Sequence, residues 1–161
     1  MIADDVLCSG NNGIGLETTR YLAQKGATVY VASRNKEKSL KAIAEVEKKL
    51  SGKAGSIKFH QCDISSIGGA KESAEAFKKI EKRIDILVAN AGISIMFRNE
   101  LSPDGYEKTF ATNHLGHMAF VMTLLRTSCQ SLHRLLIRAL MPTKLPLRHP
   151  PTAMARLALS L

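Results

Sequence analysis

Four short apolar runs, VLC at residues 6–8, TVYVA at 28–32, IKFHQ at 57–61 and IDILVA at 84–89, alternate with stretches rich in lysine and glutamate. This alternation constrains the fold more than any other feature of the sequence. Strands separated by helices do not close as hairpins; each returns through a crossover, so the sheet is mostly parallel. Residues 14–25 place Leu16 and Leu22 at helical spacing, and Gly26 follows as a stop. Residues 35–50 put Leu40, Ile43, Val46 and Leu50 on one stripe, and residues 70–83 and 113–125 complete the set of helices.

The first strand runs into Cys8-Ser9-Gly10-Asn11-Asn12-Gly13-Ile14-Gly15, and a helix opens behind it. Closely spaced glycines between a strand and a helix let a pyrophosphate approach bare backbone N–H groups at the positive end of the helix. An ordinary glycine-rich turn stays open as the plainer reading. The position of the loop after the first strand of a βαβ unit is the context that a dinucleotide fingerprint requires. The expected architecture is therefore α/β: a partial Rossmann-like, doubly wound parallel sheet in the order 3-2-1-4, with later strands missing. At the end of the second strand, where an NAD site places a carboxylate, the sequence has Ala32-Ser33-Arg34. Arg34, with Lys38 one turn on, suits the 2′-phosphate of NADP(H); the alternative is that it opens a solvated charged helix.

Composition divides the chain near residue 126. Up to Leu125 there are 17 basic and 14 acidic residues; beyond it there are six basic residues and no acid. The last glycine is Gly116, and Pro142, Pro146, Pro150 and Pro151 crowd the end. Residues 1–125 are read as a half domain and 126–161 as a tail, poorly ordered or forming isolated helices, with Leu132, Leu135, Leu136, Ala139 and Leu140 on one helical face and a shorter helix at 153–159. The break reads as a departure of the coding frame or splice pattern. The net charge of +9 thus belongs largely to one segment, which lacks the interleaved aromatics of a nucleic-acid binder. Cys8, Cys62 and Cys129 are too scattered for a disulfide framework or a zinc site. No apolar run has membrane-spanning length and no secretory signal opens the chain, so a soluble, cytoplasmic protein is expected; membrane contact through the tail is the lesser alternative.

CSGNNGIGLE, the Asp63 of CDIS, the Asn90-Ala91-Gly92 of LVANAG and FATNHLGH at 110–117 stand in order over most of the first 117 residues. In this the chain resembles the short-chain dehydrogenase/reductase family, in particular its retinol-dehydrogenase-like and protochlorophyllide-reductase-like branch. The resemblance implies an oxidoreductase acting on carbonyl or alcohol groups with NADP(H). It assigns Gly10, Gly13 and Gly15, with Ser9, Asn12 and Ile14 of the same loop, to the pyrophosphate. Arg34 falls to the 2′-phosphate, Asp63 and Ile64 to the adenine, and Asn90, Ala91 and Gly92 to the ribose side. Asn113 matches the asparagine that kinks its helix and helps to hold a proton-relay water. Asp63 as a turn cap and Asn113 as a helix N-cap remain the plainer alternatives. His114 and His117, without acidic or cysteine company, read as structural residues, and no metal site is expected.

The sequence departs from the family twice. Between Gly10 and Gly13 stand two residues where the family has three, which puts cofactor affinity in question. The family's tyrosine, the lysine four residues after it and the orienting serine are expected beyond the NHLGH helix, yet the only tyrosines are Tyr21, Tyr30 and Tyr106. A tyrosine with a pKa of ~10 needs that lysine to act near neutrality. Tyr21-Leu22-Ala23-Gln24-Lys25 matches the pattern literally, but lies in the helix after the glycine loop and is read as a decoy, with Tyr21 a packing residue. Two readings stay open: a catalytically silent NADP(H)-binding member of the family, and a non-enzymatic module that pairs with a second copy, a full-length relative or another protein.

Overall fold

The computed structural model describes residues 5–9, 11–94, 100–125 and 134–137. Its elements are β1 (Asp5–Ser9), α1 (Gly13–Gln24), β2 (Thr28–Ser33), α2 (Lys36–Glu47), β3 (Ile57–Gln61), α3 (Ile67–Ile80) and β4 (Ile86–Ala89). They are followed by the short α4 (Lys108–Phe110), a π-helical segment (Ala111–Gly116), α5 (His117–Leu125) and β5 (Arg134–Ile137). All the strands are parallel, in the order β3-β2-β1-β4-β5.

The expected order 3-2-1-4 is present, and the sheet continues one strand further. Arg134–Ile137 pairs with β4, Ile86 opposite Arg134 and Ala89 opposite Ile137. The sequence reading expected no strand here and put Leu135 and Leu136 on a helix. A short leucine-rich run has no periodicity that separates strand from helix, and the open edge of β4 supplies backbone partners that the sequence alone does not reveal. Leu132, Ala139, Leu140 and residues 153–159, the rest of the expected tail helices, lie outside the described residues.

Period-two alternation in β2 divides the core. Val29 and Val31 face α1 and α2, packing with Ala23, Ile43 and Val46, whereas Tyr30 and Ala32 face α3 and α5, packing with Phe77, Phe120 and Leu124. Helices therefore cover both faces of the sheet.

Local sequence explains the helix ends. α1 closes in a Schellman arrangement: Gly26, at φ 92°, gives its N–H to Ala23, and the N–H of Ala27 reaches Leu22. Asn35 caps α2 by accepting from the Lys38 amide at 2.8 Å, and Ser66 caps α3 by accepting from Gly69 at 3.1 Å. The stripe expected on α2 is rotated. Ile43 and Val46 are buried but Leu40 is exposed, and Ser39 takes the inward position, where its hydroxyl donates to the Asn35 carbonyl at 2.7 Å. Among the described residues no helix is long and apolar enough to cross a membrane.

His60, in β3, and His117, in α5, are both buried, and burial pushes both imidazoles below the ordinary value of 6.5. A group whose pKa is lowered by folding binds its proton more readily in the unfolded chain, so its contribution is present above 6.5 and is lost as pH falls. Stability in urea should therefore fall as the pH drops below about 6.5, at up to ~1.4 kcal/mol per pH unit for each histidine. His60→Gln should flatten that slope, and an unchanged slope would show that His60 does not titrate with folding.

Candidate functional site at the carboxyl edge of the sheet

Parallel register brings the ends of β1 to β4 to one edge. Ser9 pairs with Ala32, Ser33 with Gln61, and Cys8 with Val88. Ser9 ends β1, Asn12 precedes α1 and Gly13, Ile14 and Gly15 form its first turn, while Arg34, Asp63, Ile64, Asn90, Ala91 and Gly92 lie in the loops that follow β2, β3 and β4. β1 has β2 on one side and β4 on the other, so the chain reverses its winding direction there, which is where open α/β sheets form a crevice.

At the start of α1, Gly13 has φ 51°, a conformation that a side chain disfavours, and a Cβ there would stand in open space. Asn12 precedes it in extended conformation without giving the helix a side-chain cap, and no acidic residue lies in the first turn. Ile14 is exposed and Gly15 is buried. Asn11 Nδ2 donates to Ser39 Oγ at 3.0 Å, tying the loop to α2. Gly10 lies outside the described residues.

The backbone of Arg34 is anchored by Gln61 Nε2, which donates to its carbonyl at 2.9 Å. Its side chain is exposed, and among the described residues no carboxylate forms an ion pair with it. Asp63 is half-buried. It accepts from the Ser65 amide at 2.9 Å, as the turn-cap reading had it, while its own amide donates to Ser73 Oγ at 3.1 Å. Ile64 behind it is buried. Asn90 and Ala91 are half-buried, and Gly92 is exposed.

Asn113 is not an N-cap. The helix begins earlier, at Lys108, with the Glu107 carboxylate accepting from the Thr109 and Phe110 amides. Asn113 sits within the π-helical segment, a widened turn that often marks functional sites. Its amide makes two bonds to one residue: Ile93 N donates to Oδ1 at 2.8 Å, and Nδ2 donates to the Ile93 carbonyl at 2.8 Å. The strand-end loop 90–93 is thereby fastened to the helix. The sequence reading did not foresee Ile93, which no motif marks.

Gly116 explains how this helix approaches the sheet. A Cβ there would stand 1.9 Å from the Ile64 carbonyl oxygen and 2.8 Å from its carbon. The two histidines of NHLGH have separate fates: His114 is exposed and stacked on Phe110, with ring centroids 5.3 Å apart, while His117 is buried. Tyr21 departs from its expected packing role. It is 58% exposed, eight residues along α1 from Gly13 and so ~12 Å from the loop, and Lys25 lies over its ring.

This fold and edge geometry have clear relatives. Residues 6–131 match the short chain dehydrogenase family, and the chain belongs to it. Retinol dehydrogenase 12 of Mus musculus is 37% identical over 120 residues, covering 74% of this chain and 37% of its own length. A short-chain dehydrogenase/reductase of Armillaria gallica is 34% identical, covering 74% of this chain and 38% of its own. The chain thus spans less than two-fifths of the length of these curated relatives. Among solved structures, the RhlG/NADP active-site complex of Pseudomonas aeruginosa superposes with a TM-score of 0.63 at 29% identity, over 76% of this chain and 46% of that one.

The contact between Gly116 and Ile64 yields a paired prediction. Gly116→Ala must displace backbone on one side or the other and should cost about 1–3 kcal/mol in chemical denaturation. Gly68→Ala, in α3 with nothing within 4 Å of the new Cβ, should be neutral or stabilise by roughly 0.5–1 kcal/mol. Equal effects at the two sites would contradict the close approach.

Proposed function

We propose that this chain binds NADP(H) across the carboxyl edge of its sheet, and that the sequence as it stands does not turn over a carbonyl or alcohol substrate. One juxtaposition carries the cofactor reading: an uncapped helix N-terminus behind a positive-φ glycine shares an edge with an exposed guanidinium that no described carboxylate neutralises. The first favours a pyrophosphate and the second a 2′-phosphate. Ser9, Asn12, Gly13, Ile14 and Gly15, with Gly10, hold the pyrophosphate. Arg34 holds the 2′-phosphate, Asp63 and Ile64 border the adenine, and Asn90, Ala91 and Gly92 border the nicotinamide ribose. β1 ends at Ser9 and α1 begins at Gly13, so three residues bridge them. The NADP complex of the P. aeruginosa relative supports the choice of cofactor.

When bound, the cofactor supplies or accepts a hydride. A carbonyl or alcohol also needs a proton at oxygen, and general acid–base help is typically worth 10²- to 10⁴-fold. After Leu125 the sequence contains no tyrosine, the Asn113 amide does not titrate, and Tyr21 stands at the far end of α1. A second reading, a pairing module, is favoured by the exposed Met118, Met122 and Leu125 along α5.

Titration with NADPH and NADH tests the proposal, with NADPH expected to bind more tightly. Arg34→Ala should remove most of the difference, a loss of about 1.5–3 kcal/mol for a charge-assisted contact. Equal affinities, or an inert substitution, would defeat the assignment of Arg34. An NADPH-oxidation assay over aldehydes, ketones and quinones should stay at background; turnover would overturn the claim of silence. A pairing module without cofactor function would bind neither dinucleotide and sediment as a dimer.

A further inference from the structure

Asn12 is the one asparagine of the sequence that stands before a glycine, and that glycine is Gly13 at the head of α1. Asparagine is thermolabile because the next backbone nitrogen can attack its side-chain carbonyl carbon, and glycine, with no Cβ, leaves that nitrogen unshielded. Folding suppresses the reaction where it engages the two groups in hydrogen bonds, and here it does not engage them. Asn12 is exposed and extended, at φ −153° and ψ 172°, and its side chain caps nothing. Gly13 is also exposed. Its N–H is one of the first four of α1, which have no acceptor inside the helix, and among the described residues it has none outside. By contrast, Asn11 is tied to Ser39, Asn35 to the Lys38 amide and Asn113 to Ile93. Asp104-Gly105 is capable of the same ring closure but has both ends engaged: the Asp104 carboxylate accepts from the Ile67 amide at 2.9 Å, and the Gly105 N–H donates to the Ser102 carbonyl at 2.9 Å.

We propose that Asn12 is a site of spontaneous deamidation, and that the product turns an anionic cofactor away from the loop. The Gly13 nitrogen bonds to Asn12 Cγ, the Cγ–Nδ2 bond breaks, and ammonia departs with the proton that the Gly13 nitrogen loses. Water then opens the five-membered imide at either carbonyl, giving aspartate or an isoaspartate whose backbone runs through the former side chain. No oxidant or reductant is needed. Either product adds a negative charge at the start of α1, where no acidic residue stands in the first turn. A carboxylate there is favourable to the helix but competes with a phosphate for the same N–H groups. The consequence for cofactor affinity rests on the NADP(H) reading above; the deamidation itself does not.

The full chain is incubated at mildly alkaline pH and physiological temperature, folded and in guanidinium chloride. Its tryptic peptides are followed by mass spectrometry, with isoaspartate read by fragmentation of its extra backbone bond. In the folded protein Asn12 should exchange NH2 for OH at within about threefold of its unfolded rate, because a site outside the hydrogen-bond ladder opens at little cost. Asn11, in the same peptide, should remain an amide. Isomerisation at Asp104 should be slowed roughly tenfold or more by folding, since two hydrogen bonds must break first. An Asn12 that reacts only in the denaturant, or no faster than Asn11, would overturn the proposal, as would equal slowing of Asn12 and Asp104 on folding. For the consequence, Asn12→Asp carries the product charge and should weaken NADPH binding about tenfold, a like charge beside the pyrophosphate. Asn12→Ser, neutral and unable to deamidate, should keep its NADPH affinity constant on incubation while that of the wild type declines. An Asn12→Asp variant with wild-type affinity would overturn the effect on the cofactor. A wild-type protein that binds no NADPH would defeat the cofactor reading, and the deamidation rates would still decide the modification.

Discussion

The register of β1 between β2 and β4 is the constraint on which the rest of the structure depends. Val6 pairs with Val29 on one side and with Ile86 on the other, so all three strands end at one level. A shift of one residue would exchange the two faces of the strand and move its end out of line with its neighbours. In the observed register, loops remote in sequence converge without long excursions. Each begins within a residue or so of its strand end, and little conformational entropy is spent in bringing them together.

Around this edge the packing is tight where backbone meets backbone. Gly116 lets the π-helical turn approach the Ile64 carbonyl; at the opposite, amino edge of the sheet Gly55 leaves room for the Ala27 carbonyl, which a Cβ would approach to 2.0 Å. Asn113 adds a polar fastening at the same turn by giving one residue of the strand-end loop both a donor and an acceptor. A half-buried backbone N–H and C=O that would otherwise need water are satisfied together. Tight approach from glycine and fastening from asparagine explain why these two residue types occur three positions apart in one short stretch.

Much of this was legible in the sequence because the determining signals are local. The β-branched runs, Gly26 and the helical stripes each act within a few residues, and they located the first four strands, α1 and α2. The order of those strands followed from the βαβ alternation. The failures have a common cause in tertiary partners. Leu40 looked inward by spacing alone, but Ser39 is held there by Asn35 and Asn11, 28 residues distant for the latter. The Asn113 helix starts earlier than its apolar pattern, because Glu107 caps it. Arg134–Ile137 became a strand because β4 had an open edge. At the site, the motif positions were readable, but the bond from Asn113 to Ile93 depends on a widened helical turn that no residue pattern announces.

Backbone amide NMR during an NADPH titration tests the central claim, that the carboxyl edge at the reversal of winding is a dinucleotide site. The account predicts saturable shifts grouped at residues 11–15, 34–38, 63–64 and 90–93, with the outward face of α5 at Met118 and Met122 unmoved. Shifts centred on that face, or no saturable shifts along the strand ends, would contradict it.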